Sequence, residues 1–150
     1  MKLSYVLIAV TMFTANGYAQ ELQVFGPRAA IGTISDVRVA DMTKGVHSAF
    51  GWEIEIPYKS GDFTGYGAAG VMLLAIEQGK FLPHVWGYFG CRYKTIGGGL
   101  GPVINPIGVG LGLNVYHSFF TETLRIPVGF DFNFIRNSTR VAFFIGFNYK

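Results

Sequence analysis

The chain alternates between apolar and polar or small residues along much of its length. The clearest case is residues 123–134, TLRIPVGFDFNF, where leucine, isoleucine, valine and three phenylalanines share one parity, and Arg125 and Asp131 share the other. A period of two is that of a β-strand with one apolar face and one polar or small face. The pattern predicts two-faced strands, but it does not say which face lies inside the fold.

Eight such segments follow one another between turn signals, and they predict eight strands. The predicted strands are Val24–Ile34, Ser48–Tyr58, Phe63–Ile76, His84–Lys94, a weaker one at Gly97–Ile104, Ile107–His117, Thr123–Phe134 and Arg140–Tyr149. An even number of strands of about ten residues, joined by mostly short connections, is typical of a transmembrane β-barrel. We therefore predict an all-β, antiparallel, up-and-down barrel closed by its first and last strands, with one longer loop at Ser35–His47.

The first nineteen residues have the layout of a signal peptide. Lys2 precedes the apolar stretch Leu3–Phe13, and Gly17 and Ala19 supply the small residues before a cleavage site. The stretch is short for a helix that spans a bilayer, which needs about 20 residues. We predict that residues 1–19 are removed on export and that residues 20–150 form one domain.

Composition favours a membrane barrel over a soluble domain. Charged residues make up 14% of the chain and mean hydropathy is +0.34, whereas soluble domains carry about 25% charge. The longest apolar run of the mature chain, Ala68–Ile76, is too short for a spanning helix. The net charge of +3 includes no basic cluster, so we expect no nucleic-acid partner.

The two faces of the predicted strands differ sharply in chemistry. One face is bulky and apolar, and we predict that it contacts lipid through Trp52, Ile54, Phe130, Phe132, Phe143 and Phe147. The other face mixes glycine with charge, and we predict that Arg28, Glu53, Glu55, Arg92, Arg125 and Asp131 form a network in the lumen, with Lys94 on the same face. The interior of an eight-stranded barrel is just wide enough for side chains to fill it, so charges of opposite sign are expected to pair and close the lumen. An anion-selective path lined by arginines is the alternative.

These features resemble the small eight-stranded outer-membrane barrels, and are similar to the transmembrane domain of outer-membrane protein A. The resemblance covers nearly the whole mature chain and includes the aromatic-ended last strand, VAFFIGFNYK. It implies an outer-membrane location, outer-membrane lipid as a partner, and both termini in the periplasm. It also implies that the barrel-assembly machinery recognises the last strand during insertion. The resemblance does not imply one activity, because function in such folds depends on loops and lumen.

Candidate chemical groups are few. His47, Ser48, Asp41 and His84 fall near the predicted outer rim, where a serine activated by histidine would be needed for an enzyme that modifies lipid A. His117 falls at the opposite rim, so the three histidines are not expected to form a metal site. We predict a structural or minor permeability role without catalysis or a cofactor.

Two further patterns have simpler readings. The glycine-rich stretch TIGGGLGPVINPIGVGLGLN precedes no amphipathic helix, so it does not predict a phosphate-binding loop, and its period-two glycines are expected to face the lumen. Cys91 lies in an apolar segment and is predicted to be buried and inert.

A soluble, lipocalin-like barrel that binds an apolar ligand remains the main alternative fold. The sequence leaves the oligomeric state open.

Overall fold

The computed structural model describes residues 25–35, 45–76, 80–136 and 138–149. The predicted signal peptide and most of the predicted loop Ser35–His47 lie outside these residues. Within the described ranges, the chain forms no helix long and apolar enough to cross a membrane.

The described residues form nine strand segments that make up eight strands. The segments are β1 Phe25–Ser35, β2 Gly45–Ser60, β3 Phe63–Ile76, β4 Lys80–Tyr93, β5 Ile96–Asn105, β6 Gly108–Phe120, β7 Leu124–Ile135, β8 Ser138–Gly146 and β9 Asn148–Tyr149. β9 continues β8 beyond a one-residue break at Phe147 and pairs with the first residues of β7. At the break, the Phe147 amide donates to the Pro27 carbonyl at 2.9 Å, so the broken strand remains attached to β1.

The sheet closes on itself. Each strand from β1 to β7 pairs antiparallel with the next, and β8 pairs antiparallel with β1. The prediction of a closed, antiparallel, eight-stranded barrel is therefore confirmed. Following the pairing once round from Phe25 returns to β1 at Ser35, ten residues further along. This stagger corresponds to strands tilted by about 40° and a barrel radius of about 8 Å, an interior of the width that side chains can fill.

Several strands are longer than the sequence pattern indicates. β4 begins at Lys80 rather than His84, although it contains Pro83. Pairing between β4 and β5 reaches only as far as Val85, so Pro83 lies beyond the end of that ladder and its missing N–H removes no bond from it. β2 begins at Gly45 rather than Ser48, which shortens the predicted loop.

Inward-facing glycines leave room for tyrosine side chains inside the lumen. A Cβ atom at Gly97 would lie 2.6 Å from the Tyr116 ring, and one at Gly112 would lie 2.7 Å from Tyr88 Oη. A Cβ at Gly99 would lie 2.9 Å from the hydroxyl of Tyr66. The glycine-rich stretch therefore supplies space for large side chains from β3, β4 and β6, in keeping with the lumen position expected for its glycines.

Adding one methyl group at Gly112 is expected to destabilise the barrel. The new Cβ would lie within 2.7 Å of Val103, Asn133 and Tyr88 side-chain atoms, so Gly112→Ala should lower the free energy of unfolding by about 1–3 kcal/mol. Gly67→Ala is the matched control, because its nearest neighbour is the Phe89 ring at 3.8 Å. Urea unfolding followed by tryptophan fluorescence would measure both, and equal effects would contradict the packing role of Gly112.

The apolar parity of the strands faces outward. Of the residues predicted on this face, Trp52, Ile54, Phe130, Phe143 and Phe147 are exposed and Phe132 is half-buried. Altogether 29 large apolar side chains are exposed among the described residues. The charged side chains found exposed lie in turns, at Asp62, Lys94, Glu122 and Arg136. Among the side chains that the structure describes, the outer surface between the turns is therefore almost wholly apolar.

The prediction that Cys91 is buried is wrong. Cys91 is exposed on the outer face of β4. It shares the parity of Phe89 and Tyr93, which are also exposed, so strand alternation and not the apolar character of the segment decides its position.

Candidate functional site

The lumen is lined by charged side chains of both signs. Seven of them are buried, four arginines and three acids, so their formal charges sum to +1: Arg28, Glu53, Glu55, Arg92, Arg125, Asp131 and Arg140. We call the barrel end at which β1 begins the proximal end, and the end at which β1 finishes the distal end. The buried charges form three clusters along the barrel axis between these ends.

The proximal cluster consists of Glu55, Arg92 and Arg125. Arg125 donates two hydrogen bonds to the Glu55 carboxylate, from Nη1 at 2.6 Å and from Nη2 at 2.5 Å. Arg92 Nη1 donates to the same carboxylate at 3.3 Å. One acid from β2 thus joins two arginines from β4 and β7, strands that do not pair with β2 or with each other.

The central cluster consists of Arg28, Glu53 and Asp131. Arg28 Nη1 donates to Glu53, and Nη2 lies 2.7 Å from each oxygen of Asp131. The guanidinium carbon lies 3.6 Å from the Phe144 ring centroid and 5.1 Å from that of Trp86. Stacking on aromatic rings is favourable for a guanidinium that has lost its water, so Arg28 is held by charge and by packing.

The distal cluster consists of His47, His84 and Arg140. Arg140 Nε donates to His47 Nε2 at 3.1 Å, while Nη1 lies 3.8 Å from Asp131. The Asn133 amide lies 3.4 Å from His84 Nε2 and 3.1 Å from Tyr88 Oη. Asn133 therefore connects His84 to Tyr88.

The placement of the histidines corrects the sequence prediction. His47 and His84 were expected at an exposed outer rim, but both are buried in the lumen. They share the inward parity of Glu53 in β2 and Trp86 in β4, and β2 and β4 extend further than predicted. His117 faces outward and packs edge-on against Phe119, with ring centroids 4.8 Å apart.

One lumen charge was assigned wrongly and one was missed. Lys94 was placed with the lumen residues, but β4 ends at Tyr93 and Lys94 adopts a turn with φ of 52°, 3.9 Å from Asp62. Arg140 was not predicted, although it shares the inward parity of Ala142 and Phe144. Arg140 is the first residue of the predicted last strand, and strand ends are the least certain part of a periodic pattern. Its inward parity was therefore overlooked.

The geometry separates the residues proposed for lipid modification. Ser48 is exposed on the outer face of β2, whereas His47 and His84 lie inside the barrel wall. A serine on one face of a strand cannot transfer its proton to a histidine on the other face. Asp41 lies outside the described residues. Within the described part of the chain, no group of three or more His, Cys, Asp or Glu side chains could hold a metal ion.

Comparisons with known proteins give a limited result. No protein-family model matches the chain, and no curated protein matches it. Among solved structures, Ail, the attachment invasion locus protein of Yersinia pestis, matches with a TM-score of 0.37 and 6% identity, covering 85% of this chain and 96% of that one. Ail in complex with the heparin analogue sucrose octasulfate matches with a TM-score of 0.33 and 6% identity, over the same shares of the two chains. A likeness at this level does not transfer a function to the chain.

The lumen is suited to holding charges together and not to enclosing an apolar ligand. A soluble, lipocalin-like barrel would require Glu53 and Arg125 to face water, but only 7% and 5% of their surfaces are exposed. The proximal cluster joins β2, β4 and β7, which do not pair with one another, so its ion pairs cross the lumen. Breaking such a pair by removing one partner costs about 3–5 kcal/mol, because the remaining charge stays buried.

Proposed function

We propose that this chain is an integral outer-membrane β-barrel of a Gram-negative-type envelope with a structural or minor permeability role. The observation that carries the proposal is the inverted distribution of residues, with an apolar exterior and a charged interior. Soluble monomers rarely expose a contiguous apolar patch larger than about 300–600 Å². A surface with 29 exposed large apolar side chains presents a much larger apolar area than such a patch. Such a surface is stable in contact with the hydrocarbon chains of a lipid bilayer.

The closed backbone supports the same location. A sheet inside a bilayer has no water to satisfy its edges, so only a closed barrel can cross with strands. The aromatic side chains near the proximal end include Tyr58, Phe63, Tyr93, Phe119 and Tyr149, all exposed. Aromatic rings in a ring around a barrel end are typical of the membrane–water interface.

We infer that the three charged clusters seal the lumen at neutral pH. They occupy the proximal, central and distal levels, and each contains an arginine that is almost wholly buried. Tyrosine rings and glycines fill the space between the levels. Under this proposal the barrel has no catalytic residue, and outer-membrane lipid and the barrel-assembly machinery are its partners.

A fractionation experiment tests the location. The full chain is expressed in a Gram-negative bacterium, outer membranes are separated by density, and the protein is run on a denaturing gel with and without boiling. We expect the protein in the outer membrane, with a band that shifts on boiling because the closed barrel resists detergent. A band in the soluble periplasm without a heat shift would overturn the proposal in favour of a soluble barrel.

A further inference from the structure

Two histidines and one arginine are buried together at the distal end of the lumen. His47, His84 and Arg140 each expose at most 3% of their surface. They come from β2, β4 and β8, so the distal cluster spans the barrel. The ionic seal proposed above uses Arg140 but leaves the two histidines without a role.

The contact between Arg140 and His47 requires a neutral imidazole. Arginine can only donate, so His47 Nε2 must accept the hydrogen bond from Arg140 Nε, and an accepting ring nitrogen carries no proton. A protonated His47 would present an N–H to the N–H of Arg140. The same event would place two positive charges in contact inside the barrel.

Neither histidine has a prepared site for a second proton. His47 Nδ1 and His84 Nδ1 are buried without a hydrogen-bond partner among the described residues. Because His47 Nε2 accepts from Arg140, Nδ1 already carries the ring proton, and a second proton on His47 would have to go onto Nε2, directly against the N–H of Arg140. A cationic imidazole has an N–H at both nitrogens, so a cationic His84 would have an Nδ1 donor without an acceptor among the described residues.

The charges described around the pair do not compensate. In the part of the chain that the structure describes, the titratable and charged groups that face the pair are Arg140 from β8, Arg28 from β1, Asp131 from β7 and, through Asn133, Tyr88 from β4. Asp131 is the one carboxylate among them, and it is already shared between Arg28 and Arg140. The other buried side chains described at this end are uncharged: Ser138 is polar, and Ile34, Met72, Leu74, Val103 and Ile135 are apolar.

We propose that the distal cluster is an acid-sensitive latch. Protonation of His47 and His84 breaks the Arg140–His47 hydrogen bond, adds two charges to a lumen that already has an excess of one, and loosens the distal end. This inference rests on the proposed sealed barrel. The sign follows from the contact: His47 can accept from Arg140 only while its Nε2 carries no proton, and a free histidine takes up its second proton near about pH 6.5. Stability from the latch is therefore complete above that pH and is lost as the pH falls below it.

The test uses the full chain refolded into phosphatidylcholine bilayers. Conductance and the temperature at which the heat-modifiable band disappears are measured at pH 7.5 and pH 5.0. The wild type is expected to be closed at pH 7.5 and to open at least about tenfold more often at pH 5.0. It is also expected to melt at a lower temperature in acid. His47→Gln with His84→Gln should remove the pH response, because neither glutamine titrates. His117→Gln is the matched control and should keep the response, since His117 lies outside the lumen.

The outcomes separate the two proposals. A wild type that is closed and equally stable at both pH values overturns the latch but leaves the sealed lumen standing. An acid response that persists in the double variant also overturns the latch, because other groups must then carry it. A wild type that conducts steadily at pH 7.5 overturns the sealed lumen and the latch together. If the double variant gives no heat-modifiable band at pH 7.5, the single variant His47→Gln is tested instead. Its amide oxygen can accept the hydrogen bond from Arg140, so this variant keeps the contact without titrating. A full acid response in His47→Gln then counts against the latch.

Discussion

Replacing Glu55 by glutamine is expected to lower the free energy of unfolding by about 3–5 kcal/mol, because two buried arginines lose their carboxylate. Arg125 makes a two-bond contact with Glu55, and Arg92 makes a third bond to it. Neither arginine has an ion pair with another acid among the described residues. Urea unfolding in lipid vesicles, followed by tryptophan fluorescence, measures the loss.

Two variants complete that experiment. Glu122→Gln removes an exposed acid from the β6–β7 turn and should change stability by no more than about 0.5 kcal/mol. Arg125→Met combined with Glu55→Gln should cost less than the sum of the single changes, since residues in contact are coupled. If Glu55→Gln alone costs less than about 1 kcal/mol, the proximal cluster does not hold the barrel together.

A charge placed on the middle of the outer surface is expected to be nearly as damaging. Phe130 lies midway along β7 with half of its surface exposed, and its ring packs edge-on against Phe143 at 5.6 Å. In a bilayer, Phe130→Arg should cost about 2–4 kcal/mol from the buried charge alone. The same unfolding assay measures it, with Phe130→Ala subtracted to account for the lost ring.

The position of the charge makes this result diagnostic. Ile96 is the first residue of β5 and is exposed near the proximal end, so Ile96→Arg should cost only about 0–1 kcal/mol. A barrel surrounded by water would show no such depth dependence, because surface substitutions are close to neutral there. A Phe130→Arg variant as stable as Phe130→Ala would therefore contradict the proposed location in a membrane.

Alternation along the chain was enough to predict the strands and their faces. Residues such as Phe130 and Asp131 occupy opposite sides of one strand, and a period of two assigns each side without further information. The same rule places His84 and Arg140 inside, because each is the first residue of a predicted strand. His47 precedes the predicted strand Ser48–Tyr58, and it follows the rule only once β2 is known to begin at Gly45.

Which charges meet could not be predicted from parity. Arg28 pairs with Asp131, which is distant in the chain, because the stagger of the closed barrel brings β1 and β7 to the same level. Parity gives the side of the wall, whereas the level along the axis depends on the register of every ladder between the two strands. Lys94 shows an error of parity itself. Its parity predicted the lumen face, but β4 ends at Tyr93, and Lys94 therefore lies in a turn.

The closure of the barrel between β1 and β8 has a consequence for how the chain folds. Seven of the eight ladders join strands that are consecutive in sequence and can zip together in order, but the eighth must bring Arg28 beside Gly146. Long loops are slow to close, so this seam is expected to form last. Until then the intermediate is an open sheet with two unpaired edges, which a bilayer cannot accommodate. Insertion and seam closure are therefore expected to occur as one cooperative event.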